Sequence, residues 1–306
     1  MRKVIGIGET ILDIIFRDEQ PTAAVPGGSI FNGIISLGRA GVDVSFISEI
    51  GNDKVGNIIK TFMEDNHVST DYVSIFPDGK SPVSLAFLND KNDAEYTFYK
   101  DYPKQRLDVA FPQINEDDIL IFGSYFALNP VLRSKVIELL EYAKDRKAII
   151  YYDPNFRSTH KPEAMRLAPS IIENLEFADI VRGSDEDFAN MYNLSDAGKV
   201  YVDKIQFYCP NFICTAGGQS ISLRTNSINK EYEVPHIDAV STIGAGDNFN
   251  AGILWGLLKY NVTYRELNTL NEAAWDKIIE CGKMFSADVC MSLSNSVSKE
   301  FAAKLK

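Results

Sequence analysis

Gly244, Ala245, Gly246 and Asp247 form one unbroken run, and residue types in that order can handle an anion. Gly244 and Gly246 admit backbone angles closed to other residues and carry no side chain to hold off a ligand. A helical pattern follows, with Phe249, Ile253, Leu257 and Tyr260 at three- and four-residue spacing. A glycine loop running into a helix presents unpaired N–H groups, and the helix dipole adds partial positive charge. Asp247 lies at the edge of that anion site. Its carboxylate either caps the helix or takes a proton from a nucleophile attacking the bound anion.

Other polar clusters need placing beside it. Asp153-Pro154-Asn155-Phe156-Arg157 follows an apolar run at 148–152. Ser184, Asp185 and Asp187 follow a strand that begins at 179, and Thr215-Ala216-Gly217-Gly218 ends the run 211–215. Asp13 sits inside the apolar run 11–16, where a carboxylate is costly to bury without a partner. One such cluster reads as helix capping. Several in a row, each at a strand end, fit a phosphate-rich ligand, because ligands of open α/β sheets lie beyond the carboxyl ends of the strands.

The elements that would carry these clusters are legible in the periodicity. Short β-rich runs occur at 4–8 and 11–16, and Pro26-Gly27-Gly28-Ser29 then opens a helical pattern. A strand at 44–50 ends in Gly51-Asn52-Asp53, and a helix is expected over 54–66. Runs at 72–76, 83–89 and 94–100 follow without helices between them, separated by turn residues at 77–79 and 89–93, and predict a small antiparallel piece. Strands at 119–122, 148–152, 179–181 and 211–215 alternate with helices over 130–145, 162–175 and from 184, which predicts a parallel sheet. A hairpin is expected over 220–234, and helices over 245–259 and 266–292 close the chain. No internal repeat or linker-like tract is visible.

Composition narrows the function. The 306 residues suffice for one large α/β domain, and a net charge of −11 argues against a nucleic-acid partner. No apolar run reaches membrane-spanning length and no cleavable signal opens the chain, so no membrane partner is expected. Cys209, Cys214, Cys281 and Cys290 form no Cys-x-x-Cys pair, and His67, His160 and His236 are scattered. Reduced, buried thiols and a cytoplasmic location are expected. Two rival motifs fail: Gly79-Lys80-Ser81 has Ser74 where a P-loop needs glycine, and Gly6-x-Gly8 has Ile11 where a dinucleotide fingerprint needs its third.

Taken in order, Gly27-Gly28-x-x-x-Asn32, Gly51-x-Asp53-x-x-Gly56, Asp153-Pro154-Asn155-x-Arg157 and Thr242-x-Gly244-Ala245-Gly246-Asp247 resemble the motifs of the ribokinase-like (PfkB-type) carbohydrate kinases. The resemblance covers nearly the whole chain. Gly6-x-Gly8-Glu9, Gly123-Ser124 and Phe98-Tyr99 look most like bacterial fructokinases. The resemblance implies an α/β three-layer sandwich with a central, mostly parallel sheet and a small β-sheet lid. It implies one kinase domain over 1–306, with lid strands from about 11–28 and 72–100. The activity implied is transfer of the γ-phosphoryl of ATP to a primary sugar hydroxyl, fructose giving fructose 6-phosphate. Ribose, 2-keto-3-deoxygluconate or nucleosides are other family substrates, and an inactive sugar sensor is the alternative on the same scaffold.

Site roles follow by resemblance. Asp247 would be the base, and Gly244, Ala245 and Gly246 the anion hole. Asp13, Gly28, Asn32 and Phe98 would bind the sugar, with Arg157 near the phosphates or substrate. Ser184, Thr215 and Gly217 would contact ATP, and Asp187 would reach Mg2+ through water. Three departures from the family pattern stand out. Ser241 replaces an aspartate that holds a monovalent cation in some members, so weak or absent potassium activation is expected. Ser184 to Asp187 replaces Asn-x-x-Glu, and Ser220 stands where a second glycine is common. A sugar acid would want a cation near the lid, from Lys100 or Arg106. Val83, Leu85 and Phe87 alternate on one lid face, and a homodimer through the lid is expected.

Overall fold

The computed structural model of the chain describes residues 2–88, 94–103 and 106–306. Thirteen strands are named in chain order: β1 (Val4–Ile7), β2 (Ile11–Arg17), β3 (Gln20–Gly27), β4 (Val44–Gly51), β5 (Val73–Phe76), β6 (Lys80–Leu88), β7 (Ala94–Asp101), β8 (Ile119–Gly123), β9 (Ile149–Asp153), β10 (Ile180–Ser184), β11 (Asn211–Ala216), β12 (Ser220–Arg224) and β13 (Asn229–Glu233). The helices are α1 (Ser29–Arg39), α2 (Lys54–Asp65), α3 (Ser124–Leu128), α4 (Arg133–Asp145), α5 (Ala164–Phe177), α6 (Asp185–Tyr192), α7 (Ala197–Val200), α8 (Ala245–Lys259), α9 (Tyr264–Leu267), α10 (Glu272–Cys290) and α11 (Lys299–Ala303).

Nine strands form the large sheet, in the order β13-β12-β11-β10-β9-β8-β1-β4-β5. From β11 to β5 every neighbouring pair is parallel, and β12 and β13 append an antiparallel hairpin. Strands β1, β4, β8 and β9 are buried along their whole length, as a sheet covered on both sides demands. Alternate residues feed separate cores. Val4, Ile119, Ile121, Ile149 and Tyr151 pack with Phe249, Leu254 and Trp275. Ile5, Leu120, Phe122, Ile150 and Tyr152 pack with Leu139, Leu167 and Phe188. The result is the expected three-layer sandwich, with α1, α8 and α10 on one face and α4, α5 and α6 on the other. Among the described residues no helix is long and apolar enough to cross a membrane.

A separate sheet of order β3-β2-β6-β7 completes the fold. It corrects two expectations. Val73–Phe76 does not join it; the strand pairs in parallel with β4 in the large sheet, from Ser48↔Val73 to Gly51↔Phe76. A four-residue run has no periodicity that says which sheet it will enter, and the preceding helix α2 delivers it beside β4. The small sheet is also not wholly antiparallel, because β2 and β6 pair in parallel. Strand β3 was not resolved by periodicity, since Pro21 and Pro26 weaken the β signal. It lies at the sheet edge, where proline is tolerated. The turn expected at 89–93 lies outside the described residues. Near the carboxyl terminus the single helix expected over 266–292 is two. Asn271 caps the second, accepting from the Ala274 N–H at 2.9 Å.

Asp53 shows how a motif positions the small sheet. It caps α2 by accepting from Gly56 N–H at 2.8 Å, and its other oxygen accepts from Ser81 N–H at 2.8 Å. Ser81 opens β6, so the same carboxylate ends one element and anchors the next. A Cβ on Gly56 would lie 2.2 Å from the Gly51 carbonyl and one on Gly51 2.7 Å from the Ser81 nitrogen, which explains both glycines of that motif.

Candidate active site

Gly244 immediately precedes α8 with φ of 77°, a left-handed turn that aims the first amides of the helix out of its end. A Cβ there would come 3.0 Å from the Asn295 carbonyl. Asp247 lies in the first turn, 7% exposed. Asn32, in the first turns of α1, donates from Nδ2 to Asp247 Oδ2 at 2.8 Å. The two helices can approach because residue 33 is glycine; a Cβ there would lie 3.0 Å from the Asp247 carbonyl. Burial pushes the Asp247 carboxyl up to about 6. The Asn32 hydrogen bond and the charges of Arg157 and Arg182 pull it down, and Asp187 pushes it up. Such a group is ionised at neutral pH yet basic enough to accept a proton.

The small sheet supplies the wall opposite α1. Asp13 of β2, Ser84 of β6 and Phe98 of β7 are register partners, so their side chains share one face. The Ser84 hydroxyl donates to Asp13 Oδ1. Burial raises the Asp13 carboxyl to about 6, against the Ser84 hydrogen bond. A Cβ on Gly27 would lie 2.6 Å from Asp13 Oδ2 and 3.4 Å from Asn295 Nδ2. Asp13, Asn295 and Gly244 are therefore successive neighbours along one lining. Gly28, with φ of 140°, caps α1 where a Cβ would strike the Glu9 carbonyl at 2.2 Å.

Tyr96 was missed. It lies two residues before Phe98 on the same strand face and stacks on it, ring centroids 5.8 Å apart and planes 9° from parallel. Its hydroxyl is pushed up to about 12, by burial first and then by Asp13, while Arg157 lowers it. Period-two spacing from Phe98 was the signal that could have found it. Arg157 is itself exposed, and its charge reaches both Tyr96 and Asp247.

The remaining predicted residues gather at the ends of β10 and β11. Ser184 and Thr215 are register partners. Ser184 caps α6 in a reciprocal box: its hydroxyl oxygen accepts from the Asp187 N–H at 3.1 Å, and its hydroxyl and its N–H each donate to Asp187 Oδ2 at 2.8 Å. Both donations use one oxygen, which leaves Oδ1 able to meet a metal-bound water. Gly217 turns with φ of 53°, and a Cβ there would meet no atom within 4 Å, so this side is open. Ser241 is buried and its hydroxyl accepts from Ile243 N–H at 3.2 Å. Among the described residues no group of three or more His, Cys, Asp or Glu side chains is arranged to hold a metal. Arg182 was also missed: it lies buried between Asp153 and Thr215. A lone arginine inside a strand run carries no motif.

Comparison with known proteins adds to this geometry. The profile of the pfkB family carbohydrate kinases matches residues 1–289. A fructokinase of Rhizobium leguminosarum bv. trifolii is 29% identical over 287 residues, covering 89% of this chain and 85% of that protein. A probable chloroplastic fructokinase-6 of Arabidopsis thaliana is 25% identical over 268 residues, covering 82% and 69%. Among solved structures, a double-mutant fructokinase from Vibrio cholerae O395 in its fructose-, ADP- and potassium-bound form superimposes with a TM-score of 0.84. It is 19% identical, over 100% of this chain and 99% of that one. Aminoimidazole riboside kinase from Salmonella enterica, complexed with aminoimidazole riboside and an ATP analogue, gives 0.80 at 20% identity over 100% of both chains.

Proposed function

The chain belongs to the pfkB family of carbohydrate kinases, and from that premise we propose that it transfers the γ-phosphoryl of ATP to a primary hydroxyl of fructose, giving fructose 6-phosphate. The observation that carries the reading is the buried Asp247, oriented by Asn32 and adjacent to the glycine loop. Sugar lies between α1 and the small sheet, with Asp13, Gly28, Asn32 and Phe98 holding its hydroxyls and ring. Asp247 takes the proton of the attacking hydroxyl as the O–P bond forms. The N–H groups of Gly244, Ala245 and Gly246 receive the phosphoryl oxygens where negative charge is greatest. Ser184, Thr215 and Gly217 hold the nucleotide, and Arg157 covers the phosphates. Asp187 would reach a magnesium ion arriving with ATP through water, and that ion would supply neutralisation of the phosphate charge.

The choice of a neutral sugar rests on Lys100 and Arg106, the two cations that could have met a sugar acid's carboxylate near the lid. Lys100 Nζ lies 2.7 Å from Glu9 Oε2. Arg106 pairs with Glu49, and these side chains are only 7% and 2% exposed. Cations already neutralised in this way are poorly suited to a sugar acid's carboxylate. The names of the relatives support the same choice. In this reading the small sheet is a lid on a single kinase domain. Its outer face, where Phe16 and Phe87 stack at 4.9 Å, pairs with a second copy. A cytosolic setting accords with four buried free thiols.

A coupled assay with ATP and magnesium across fructose, ribose, 2-keto-3-deoxygluconate and nucleosides tests the substrate. Fructose should return the highest kcat/KM. Sugar binding without ATP consumption for any member of the panel would establish the inactive sensor instead. Sedimentation of the wild type and Phe87→Asp tests the dimer, which the substitution should dissociate.

A further inference from the structure

Arg182 occupies the third position of β10, beneath the first turn of α8, and is 4% exposed. Its Nη2 donates to Thr215 Oγ1 at 2.6 Å, and Nη1 stands 3.6 Å from Asp153 Oδ2. The guanidinium carbon lies 5.5 Å from the centre of the Phe249 ring. A Cβ on Gly246 would approach Nη1 and Nη2 to 3.1 and 3.2 Å, so a glycine there gives the cation room under the loop. An arginine at this place opposes the partial positive charge of the helix end and loses hydration. Both costs call for a compensating role.

The contacts supply one. Asp153 accepts from Asn250 Nδ2 at 2.6 Å, and Asn250 Oδ1 accepts from the Tyr151 hydroxyl at 2.9 Å. A buried chain of polar contacts thus runs from Thr215 through Arg182 and Asp153 into α8, the helix that carries Asp247. Thr215 Oγ1 accepts from the guanidinium, which leaves its own O–H to donate elsewhere. The groups whose charge reaches Asp247 come from several elements: Arg182 on β10, Arg157 after β9, Asp187 on α6, Asp153 at the end of β9 and Tyr96 on β7. Arg182 is the buried cation of that set.

We propose that Arg182 is a positioning residue for phosphoryl transfer: it fixes the Thr215 hydroxyl as a donor toward the nucleotide phosphates and sets a positive charge beneath the turn that carries Asp247. This rests on the kinase reading of the same site. Arginine suits both tasks because its planar fork engages two partners at once, which a lysine ammonium does in a less defined geometry.

The test uses the full chain and four variants: Arg182→Met, Arg182→Lys, Thr215→Val and the double Arg182→Lys/Thr215→Val. Two quantities are read. One is the acid limb of kcat/KM for the sugar against pH. The other is ADP affinity by calorimetry, which needs no turnover and so stands apart from the kinase reading. Arg182→Met should move the acid limb to higher pH, because loss of the positive charge disfavours the ionised Asp247. Arg182→Lys should hold the limb in place, yet weaken ADP by roughly 10-fold through loss of the Thr215 geometry. Thr215→Val should weaken ADP similarly without moving the limb. The double variant should be no weaker than either single, because both remove one interaction. An unmoved limb in folded Arg182→Met, or multiplying effects of Arg182→Lys and Thr215→Val on ADP, would overturn the proposal. If Arg182→Met does not fold, the ADP cycle alone decides.

Discussion

Asn32 Nδ2 and Asp247 Oδ2 meet at 2.8 Å although 215 positions separate them in the chain. The bond joins the first turns of α1 and α8, and among the described residues it holds the carboxylate with one oxygen engaged and the other free. A base held in this way needs no reorganisation before it accepts a proton, which is where positioned groups gain their advantage.

Replacing Asp247 by asparagine keeps the size but removes the proton acceptor. Turnover should fall by roughly 10²–10⁴-fold, with sugar and ATP affinity changing much less, because the lost interaction belongs to the transition state. Near-normal turnover in folded Asp247→Asn would reduce this residue to a helix cap.

The pH profile follows from the raised Asp247 carboxyl, pushed to about 6. Above that value the group is an anion and can accept the sugar proton; below it the group is neutral and cannot. The kcat/KM for the sugar should therefore fall by about tenfold per pH unit on the acid side of its limb. A limb near the ordinary carboxylate range would contradict the burial argument.

Stability should carry the opposite sign. Asp179 is raised from 3.8 to about 6, chiefly by burial. Its folded value exceeds its unfolded value, so its stabilising contribution is full below about 3.8 and is lost as pH rises through about 6. Asp13, Asp153 and Asp247 shift the same way. In that window the ligand-free protein should lose stability as pH rises, and Asp179→Asn should flatten the slope. Thermal denaturation at several pH values measures both.

Asp13 lies on the small sheet, held by Ser84, and in the proposed reading it faces the sugar. Asp13→Ala should raise the sugar KM by roughly 10–100-fold, the worth of hydrogen bonds to a charged group, with the ATP KM little changed. Equal effects on both substrates would point to a general loss of structure.

Ser241 is buried and offers a hydroxyl where a carboxylate would hold an alkali ion. Exchanging sodium for potassium at constant ionic strength should leave turnover unchanged. A several-fold rise would show that neighbouring carbonyls suffice for a cation site.

Much of this is legible in the chain itself. The parallel sheet followed from alternating apolar runs and helices, because a strand buried on both faces must be apolar throughout. The glycines at 28, 56 and 244 stood out through their motifs, and in the fold each lies where a side chain would strike backbone. What was not legible depends on packing across the chain. The run 73–76 could have entered either sheet, and only docking beside β4 decided it. Two separate helices stood where one was expected, because the Asn271 cap resembles an ordinary polar surface residue in sequence.

Residue types alone mark which side chains can do the chemistry, because Gly244 to Asp247 combine backbone freedom with a carboxylate within a few positions. What that carboxylate meets depends on how the elements pack. Asn32, Arg157 and Arg182 come from three distant segments, and their charges and hydrogen bond act on Asp247 through space. Local spacing carries no record of such meetings, because through-space contacts depend on how sheet and helices pack rather than on neighbours along the chain.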